Sequence, residues 1–360
     1  MSNTAANSTV LTLRAGDWVE VRSKEEILRT LDEKGQLQSM PFMPQMFEYC
    51  GRRMRVVSSA HKTCDTIKWT GGRSVESAVH LEGVRCNGAA YDGCEARCLI
   101  YWKTQWLKPV DGPGQPEVAP GAGRGATEAD VVRGTRKPVP AGEAPTYVCQ
   151  GTERHRASAL LRWWDVRQYI EDYRSGNASL GHVAKGLLFG MTASVIRLAE
   201  RRPRTQLALI AAYDRIQALY GGKPFPRKRG AVQPGQKTPT HQLDLQPGEL
   251  VRVKTHKEIL ETIDEDYKNR GLTFDAEHTP YCGGTYRVLA RINKIVNEET
   301  GKMIHLKRDA VILDGVVCGA LYADRRLFCP RAIYPYWREI WLERAGSAPA
   351  ADVSSIRSAR

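Results

Sequence analysis

Cysteine is the residue in this chain with the most chemistry to offer, and three cysteines recur in each of two stretches. The first stretch holds Cys50, Cys86 and Cys94, and the second holds Cys282, Cys318 and Cys329. Three thiolates gathered by strands and turns suit a borderline cation, so zinc is the expected ion, with iron as the alternative. A closed tetrahedral site needs a fourth ligand. The first stretch offers His61, Cys64 and Cys98, in His61-Lys62-Thr63-Cys64 and Cys94-Glu95-Ala96-Arg97-Cys98. The second has Asn293, Val296 and Ile333 at the matching places, with His278 and His305 nearby. The candidate ligands are therefore Cys50, His61, Cys64, Cys86, Cys94, Cys98, Cys282, Cys318 and Cys329. An open fourth position around His61, Cys64 and Cys86 would let the first stretch bind a substrate or activate water. Two plainer readings stand beside this one. Buried cysteine is a common small core residue. A redox thiol at Cys64 or Cys98 would need His61 or Arg97 to lower its pKa, and the chain has no CxxC pair.

The elements that carry these residues are duplicated. Leu11, Leu13, Gly16, Val19, Val21, Glu26, Ile27, Leu28, Thr30, Asp32 and Glu33 recur, as the same or similar residues, 232 positions later, from Leu243 to Glu265. The same shift carries Phe42 to Phe274, Tyr49-Cys50-Gly51 to Tyr281-Cys282-Gly283, and Cys86 to Cys318. After that cysteine a shift of 235 aligns Cys94 with Cys329, Tyr101-Trp102 with Tyr336-Trp337, and Trp106-Leu107 with Trp341-Leu342. Fixed-period self-similarity of this length marks a tandem duplication.

In each copy the pattern predicts one half-buried strand up to Val21, then a short helix over Lys24 to Glu33. Ser23 is its expected N-cap and Glu26 completes a capping box. Val56-Val57 and Ala78 to Leu81 read as further strands, with Thr70 to Arg73 as a turn between them. The paired tryptophans read as a last strand that plugs the core, which leaves Lys103, Arg331 and Arg338 on the exposed face.

The opening Gly-x-x-Val-x-Val strand, Gly16 to Val21 and Gly248 to Val253, is similar to the start of SH3-like barrels of the KOW or Tudor kind. The likeness spans about ten residues per copy. It implies an α+β chain of two repeated small SH3-like β-barrel units with a helical insert between them. Barrels of that kind bind peptides, nucleic acids or other proteins, so the fold does not select among these. The whole chain also resembles bacterial tandem-repeat proteins, a likeness that brings no activity with it.

The expected organisation is a first repeat at 10–108, a Pro/Gly-rich linker at 109–150, a basic helical insert at 151–222, a linker at 223–241, a second repeat at 242–345 and a disordered tail at 346–360. In the insert, Ala159 to Ile170, Leu187 to Leu198 and Leu207 to Tyr220 predict three amphipathic helices, the last stopped by Gly221-Gly222 and Pro224. Trp163-Trp164 reads as core.

The chain of 360 residues carries a net charge of +13. Residues 111–245 hold 20 basic against 12 acidic residues, so the excess sits in the middle, where nucleic acid is a possible partner. Another protein is the expected partner. Neither a secretory signal nor an apolar run long enough for a bilayer is visible, so the expected location is cytoplasmic. In a reducing compartment nine cysteines read as ligands, reactive thiols or core residues. Walker, GxGxxG, GxSxG and HExxH motifs are all absent. The function expected from residues alone is a metal-binding accessory or interaction protein. A metal-dependent enzyme and a nucleic-acid-binding protein are the alternatives.

Overall fold

The computed structural model describes residues 11–110, 125–323 and 325–345. Residues 111–124 of the expected linker and the tail at 346–360 lie outside them. The chain is a mixed α/β protein dominated by sheets. It divides into two compact units. The first takes the described residues up to Ser179 with Val296–Ile304 and Cys329–Arg331, and the second takes Leu180–Ile295, His305–Phe328 and Ala332 onward.

In the first unit β1 (Trp18–Val21), β2 (Arg53–Ser59), β3 (Lys62–Cys64), β4 (Gly72–Val75), β5 (Ala78–Leu81), β6 (Trp102–Lys103) and β7 (Leu107–Pro109) frame the helix α1 (Lys24–Thr30). The five-stranded sheet runs β6-β5-β2-β1-β7. Ser23 caps α1 as its sequence requires. Its Oγ accepts the Glu26 N–H at 3.3 Å, and its own N–H donates to Glu26 Oε2 at 2.9 Å. A second helix, α2 (Glu128–Arg133), capped by Thr127, lies in the stretch read as linker.

The segment Ala159–Leu161, expected to open a helix, is instead part of strand β8 (Ser158–Leu161). It pairs antiparallel with β4, Ser158 opposite Val75 and Leu161 opposite Gly72. A run of three or four apolar residues fits either period, and the open edge of β4 decides between them. Helix α3 (Arg167–Arg174) starts only after it. Trp163 and Trp164, expected in the core, are exposed.

In the second unit α4 (Leu180–Leu198) and α5 (Pro203–Leu219) form the expected helices of the insert. The second repeat then supplies β9 (Leu250–Val253), α6 (His256–Leu260), β10 (Thr285–Val296), β11 (Met303–Leu313) and β12 (Leu342–Arg344), with sheet order β11-β10-β9-β12. Its register repeats that of the first sheet. Trp18 pairs with Arg55 where Leu250 pairs with Arg287, a shift of 232 on both strands. Val21 pairs with Leu107 where Val253 pairs with Leu342, shifts of 232 and 235. Thr255 and Glu258 reproduce the capping box at 3.3 and 2.8 Å.

Each repeat buries its own core. Val19, Val21, Ile27, Val56, Trp102 and Trp106 are enclosed in the first, and Val251, Val253, Ile259, Val288, Trp337 and Trp341 in the second. Lys103, Arg331 and Arg338 are not on an exposed face; all three are buried. Burying a cation requires partners. Lys103 Nζ donates to Gln38 Oε1 and the Glu76 carbonyl, and Arg338 donates to the carbonyls of Arg308 and Arg270. The partners of Arg331 are described below.

Candidate functional site

The shared Tyr-Cys-Gly motif is a turn. Cys50 ends the 3-10 helix Pro44–Tyr49 and Cys282 ends Ala276–Tyr281, with matching backbone angles. The next residues, Gly51 and Gly283, have φ of 75° and 80°, a region glycine enters without strain. Their N–H groups donate to Val21 and Val253 carbonyls at 2.8 and 3.0 Å. The first cysteine of each trio therefore recurs within a turn that holds the opening strand. Burial pushes the Cys282 thiol up to about 12.

Cys86 and Cys318 recur at another matched bond, their N–H groups donating to the carbonyls of Cys98 and Ile333 at 2.8 and 2.7 Å. The Cys86 sulfur accepts Gln45 Nε2 at 3.2 Å. Cys86, Cys94 and Cys149 are electrostatic neighbours, as are Cys86, Cys98 and Cys149. Burial pushes both Cys98 and Cys149 up to about 12, so these thiols stay protonated at neutral pH.

The third cysteines make an exchanged pair of bonds inside the first unit. Cys329 Sγ accepts the Cys64 N–H at 3.1 Å, and Cys94 Sγ accepts the Val296 N–H at 3.3 Å. Cys64 and Val296 are matching repeat positions, as are Cys94 and Cys329. Thr66 and Glu298 also match, and Thr66 Oγ1 donates to Glu298 Oε2. Each third cysteine thus accepts a backbone N–H of the other repeat, around a centre where the two copies of one position touch.

That centre is charged. Arg154 donates to Glu298 through Nη1 at 2.9 Å and Nη2 at 3.1 Å, and Arg331 Nη2 donates to the same carboxylate at 2.6 Å. Both guanidinium groups also reach Thr66 Oγ1. Burial opposes the charge of Glu298, but Arg331 and Arg154 outweigh it and hold the carboxyl well below the usual range. Arg331 Nη1 lies 3.6 Å from Cys64 Sγ. Near this centre Lys62 Nζ contacts Asp172 Oδ2 at 2.6 Å, and His61 Nε2 lies 3.2 Å from Asp172 Oδ1. Burial pulls the Lys62 amine down from its ordinary value, against the opposing effect of Asp172.

The structure therefore brings Cys64 to Cys329, and groups Cys86, Cys94 and Cys98 with Cys149, which sequence reading left out. His61 pairs with Asp172. Among the described residues no three His, Cys, Asp or Glu side chains gather closely enough to hold a metal ion. Glu298 and Arg154 were also missed, and Arg331 had been placed on an exposed face. The one available signal for Glu298 was its position 232 after Thr66.

The second feature is a surface. On α4 the residues Gly186, Phe189, Ala193 and Ile196 are buried; the last three pack with Phe225, Tyr213 and Tyr322, and Gly186 lies against Phe328. The opposite side is apolar too. Leu188 and Met191 are each 62% exposed, Val195 53% and Leu198 84%. With exposed Gly181 and Ala184 they are spaced 3-4-3-4-3, the a/d pattern of a helix seam.

One carboxylate in the second unit gives a pH signature. Glu277 is buried, accepts the Tyr322 N–H at 2.6 Å, and is pushed by burial up to about 7. The fold therefore prefers its neutral form. Its contribution is complete below the unfolded value near 4.5 and is lost as pH rises through about 7. Glu277→Gln is expected to become more stable relative to the natural chain, by up to about 3 kcal/mol, between pH 5 and 8. Urea unfolding at the two pH values checks this.

No family model, curated protein or solved structure matches this chain. No helix among the described residues is long and apolar enough to cross a membrane.

Proposed function

We propose that this chain is an interaction protein that assembles with a second copy of itself through the outward face of α4. In this reading the repeats are two SH3-like modules; their shared strand register supports a common fold for the two copies. The observation that carries the proposal is the exposed stripe Leu188, Met191, Val195 and Leu198.

Its spacing favours a helix as occupant. A period of 3.5 keeps one narrow seam facing a partner helix, whereas a lipid surface takes a broad apolar arc bordered by cations. The seam runs about 26 Å from Gly181 to Leu198. Gly181 and Ala184 permit close approach at one end. The seam is flanked by Lys185, Leu187, Thr192, Ser194 and Ala199, so a like helix meets a single flanking charge. Leu180 and the four large seam residues expose on the order of 500 Å², and Leu207, Ile216, Leu219 and Tyr220 of the following helix region, in the same unit, are exposed apolar residues too. A stable dimer needs about 800 Å² per partner.

Sedimentation equilibrium of the full chain tests the proposal. The expected result is a dimer at roughly 100 μM, well above a micromolar Kd. Leu188→Glu with Val195→Glu is expected to give a monomer with unchanged far-UV circular dichroism. A monomeric natural chain, equal association of the variant, or a monomer that instead binds anionic vesicles through this face would each overturn it.

A further inference from the structure

The first unit holds a second feature that does not depend on the dimer reading. Cys64 and Cys329, 265 residues apart in sequence, have adjacent sulfurs in the fold. The Cys329 thiol lies over the backbone N–H of Cys64 at 3.1 Å, and the two side chains hydrogen-bond. Arg331 Nη1 stands 3.6 Å from Cys64 Sγ. The short segment Cys329–Arg331 therefore delivers both a second thiol and a fixed cation to one sulfur. All nine cysteines are thiols rather than disulfides in this structure.

We propose that Cys64 and Cys329 are a reactive dithiol pair that reduces a small hydroperoxide and closes as a disulfide, Cys64 attacking and Cys329 resolving. The roles follow from the surroundings. Arg331 carries its charge beside Cys64, where it favours the thiolate. The Cys329 sulfur sits beside Cys64 and accepts its backbone N–H at 3.1 Å, so it is placed to meet the Cys64 sulfur once that is oxidised. Cys64 is buried while Cys329 is half-buried, which favours a small oxidant.

The chemistry balances without another reactant. The Cys64 thiolate attacks the terminal oxygen of the hydroperoxide. An S–O bond forms, the O–O bond breaks, and the leaving alkoxide or hydroxide takes up the proton that the Cys64 thiol released. Cys64 is now a sulfenic acid. Cys329 attacks the Cys64 sulfur, the S–S bond forms and the S–O bond breaks. The departing hydroxide leaves as water with the Cys329 proton. Two thiols lose two electrons, and the peroxide is reduced to an alcohol, or water, plus water. A dithiol reductant returns the pair by exchange.

Near-stoichiometric hydrogen peroxide on the full folded chain, followed by alkylation and peptide mapping, tests the proposal. The expected result is the loss of two of nine free thiols and a cross-linked peptide pair containing Cys64 and Cys329, both restored by dithiothreitol. Cys329→Ser is expected to stop at a sulfenic acid on Cys64, trapped by dimedone. Cys64→Ser is expected to leave Cys329 unoxidised. Near-UV circular dichroism confirms that both serine variants are folded. A Cys64 that stays fully alkylatable while other thiols react would overturn the proposal. So would a disulfide between any other two cysteines, or dimedone labelling on Cys329 instead of Cys64.

Discussion

Replacing Glu298 with Ala is expected to destabilise the first unit by about 3–5 kcal/mol. The carboxylate is the shared partner of two buried guanidinium groups. Arg154 is almost fully enclosed and binds it through both nitrogens; Arg331 binds it at 2.6 Å. Removing Glu298 leaves two cations together, out of water, with Thr66 Oγ1 as a common neutral acceptor. Their repulsion adds to the lost attraction. Glu298→Gln keeps the size and one acceptor oxygen but loses the charge, so its cost should fall between those of Ala and the natural residue. Thr66→Val removes one hydroxyl and should cost about 1 kcal/mol. The dependence on pH has a definite sign. The folded carboxyl titrates below its unfolded value near 4.5. Its contribution is present above that value and is lost as pH falls below it. Urea unfolding at pH 7 and pH 4 measures both effects. A Glu298→Ala penalty under 1 kcal/mol at pH 7, or one that grows on acidification, would show that the two guanidinium groups find other compensation.

Sequence made the repeated frame legible because that frame is local. A capping box needs residues three apart, and Ser23 with Glu26 and Thr255 with Glu258 meet that need in plain view. The Tyr-Cys-Gly turn was visible as a motif, and its recurrence accompanies the left-handed glycine after the cysteine. The charged centre was not legible for a physical reason. Thr66 and Glu298 occupy one repeat position with unlike residues, and their meeting depends on the two copies touching there. Nothing in the neighbourhood of Arg331 announces Glu298 or Cys64. The last strand was read as plugging the core, which placed Arg331 on its exposed face, while a partner distant in sequence compensates its burial. Recurrence pointed to one shared task; in the fold Cys50, Cys86 and Cys94 make different bonds, and duplication of a single ancestor preserves all three whatever each one does. Ala159 to Leu161 illustrates the remaining limit. Its period was ambiguous, and the choice of strand rests on the β4 edge, which local pattern does not reveal.

Truncating Trp106 or Trp341 to Ala is expected to cost about 3–5 kcal/mol in either repeat. Both are fully buried and stand edge-on to a phenylalanine, Trp106 to Phe42 at 5.1 Å and Trp341 to Phe274 at 5.3 Å. Both indoles also donate to the hydroxyl of a threonine, Thr30 at 3.1 Å and Thr262 at 3.0 Å. The threonines are 232 residues apart and the tryptophans 235, so the contact has survived the three-residue insertion between them. Phenylalanine separates its two components. Trp106→Phe retains most of the apolar volume but leaves the Thr30 hydroxyl without its donor in a dry core, which adds about 1 kcal/mol to the packing loss. The neighbouring Trp102 is the control. It is equally buried, yet its indole N–H has no acceptor among the described residues. Trp102→Phe removes an unsatisfied donor along with the volume, and those effects oppose each other. Equilibrium unfolding should therefore rank Trp106→Phe as more destabilising than Trp102→Phe, with Trp341→Phe and Trp337→Phe in the same order. The reverse order in both repeats would mean that ring volume alone, and not the threonine bond, keeps these tryptophans in place.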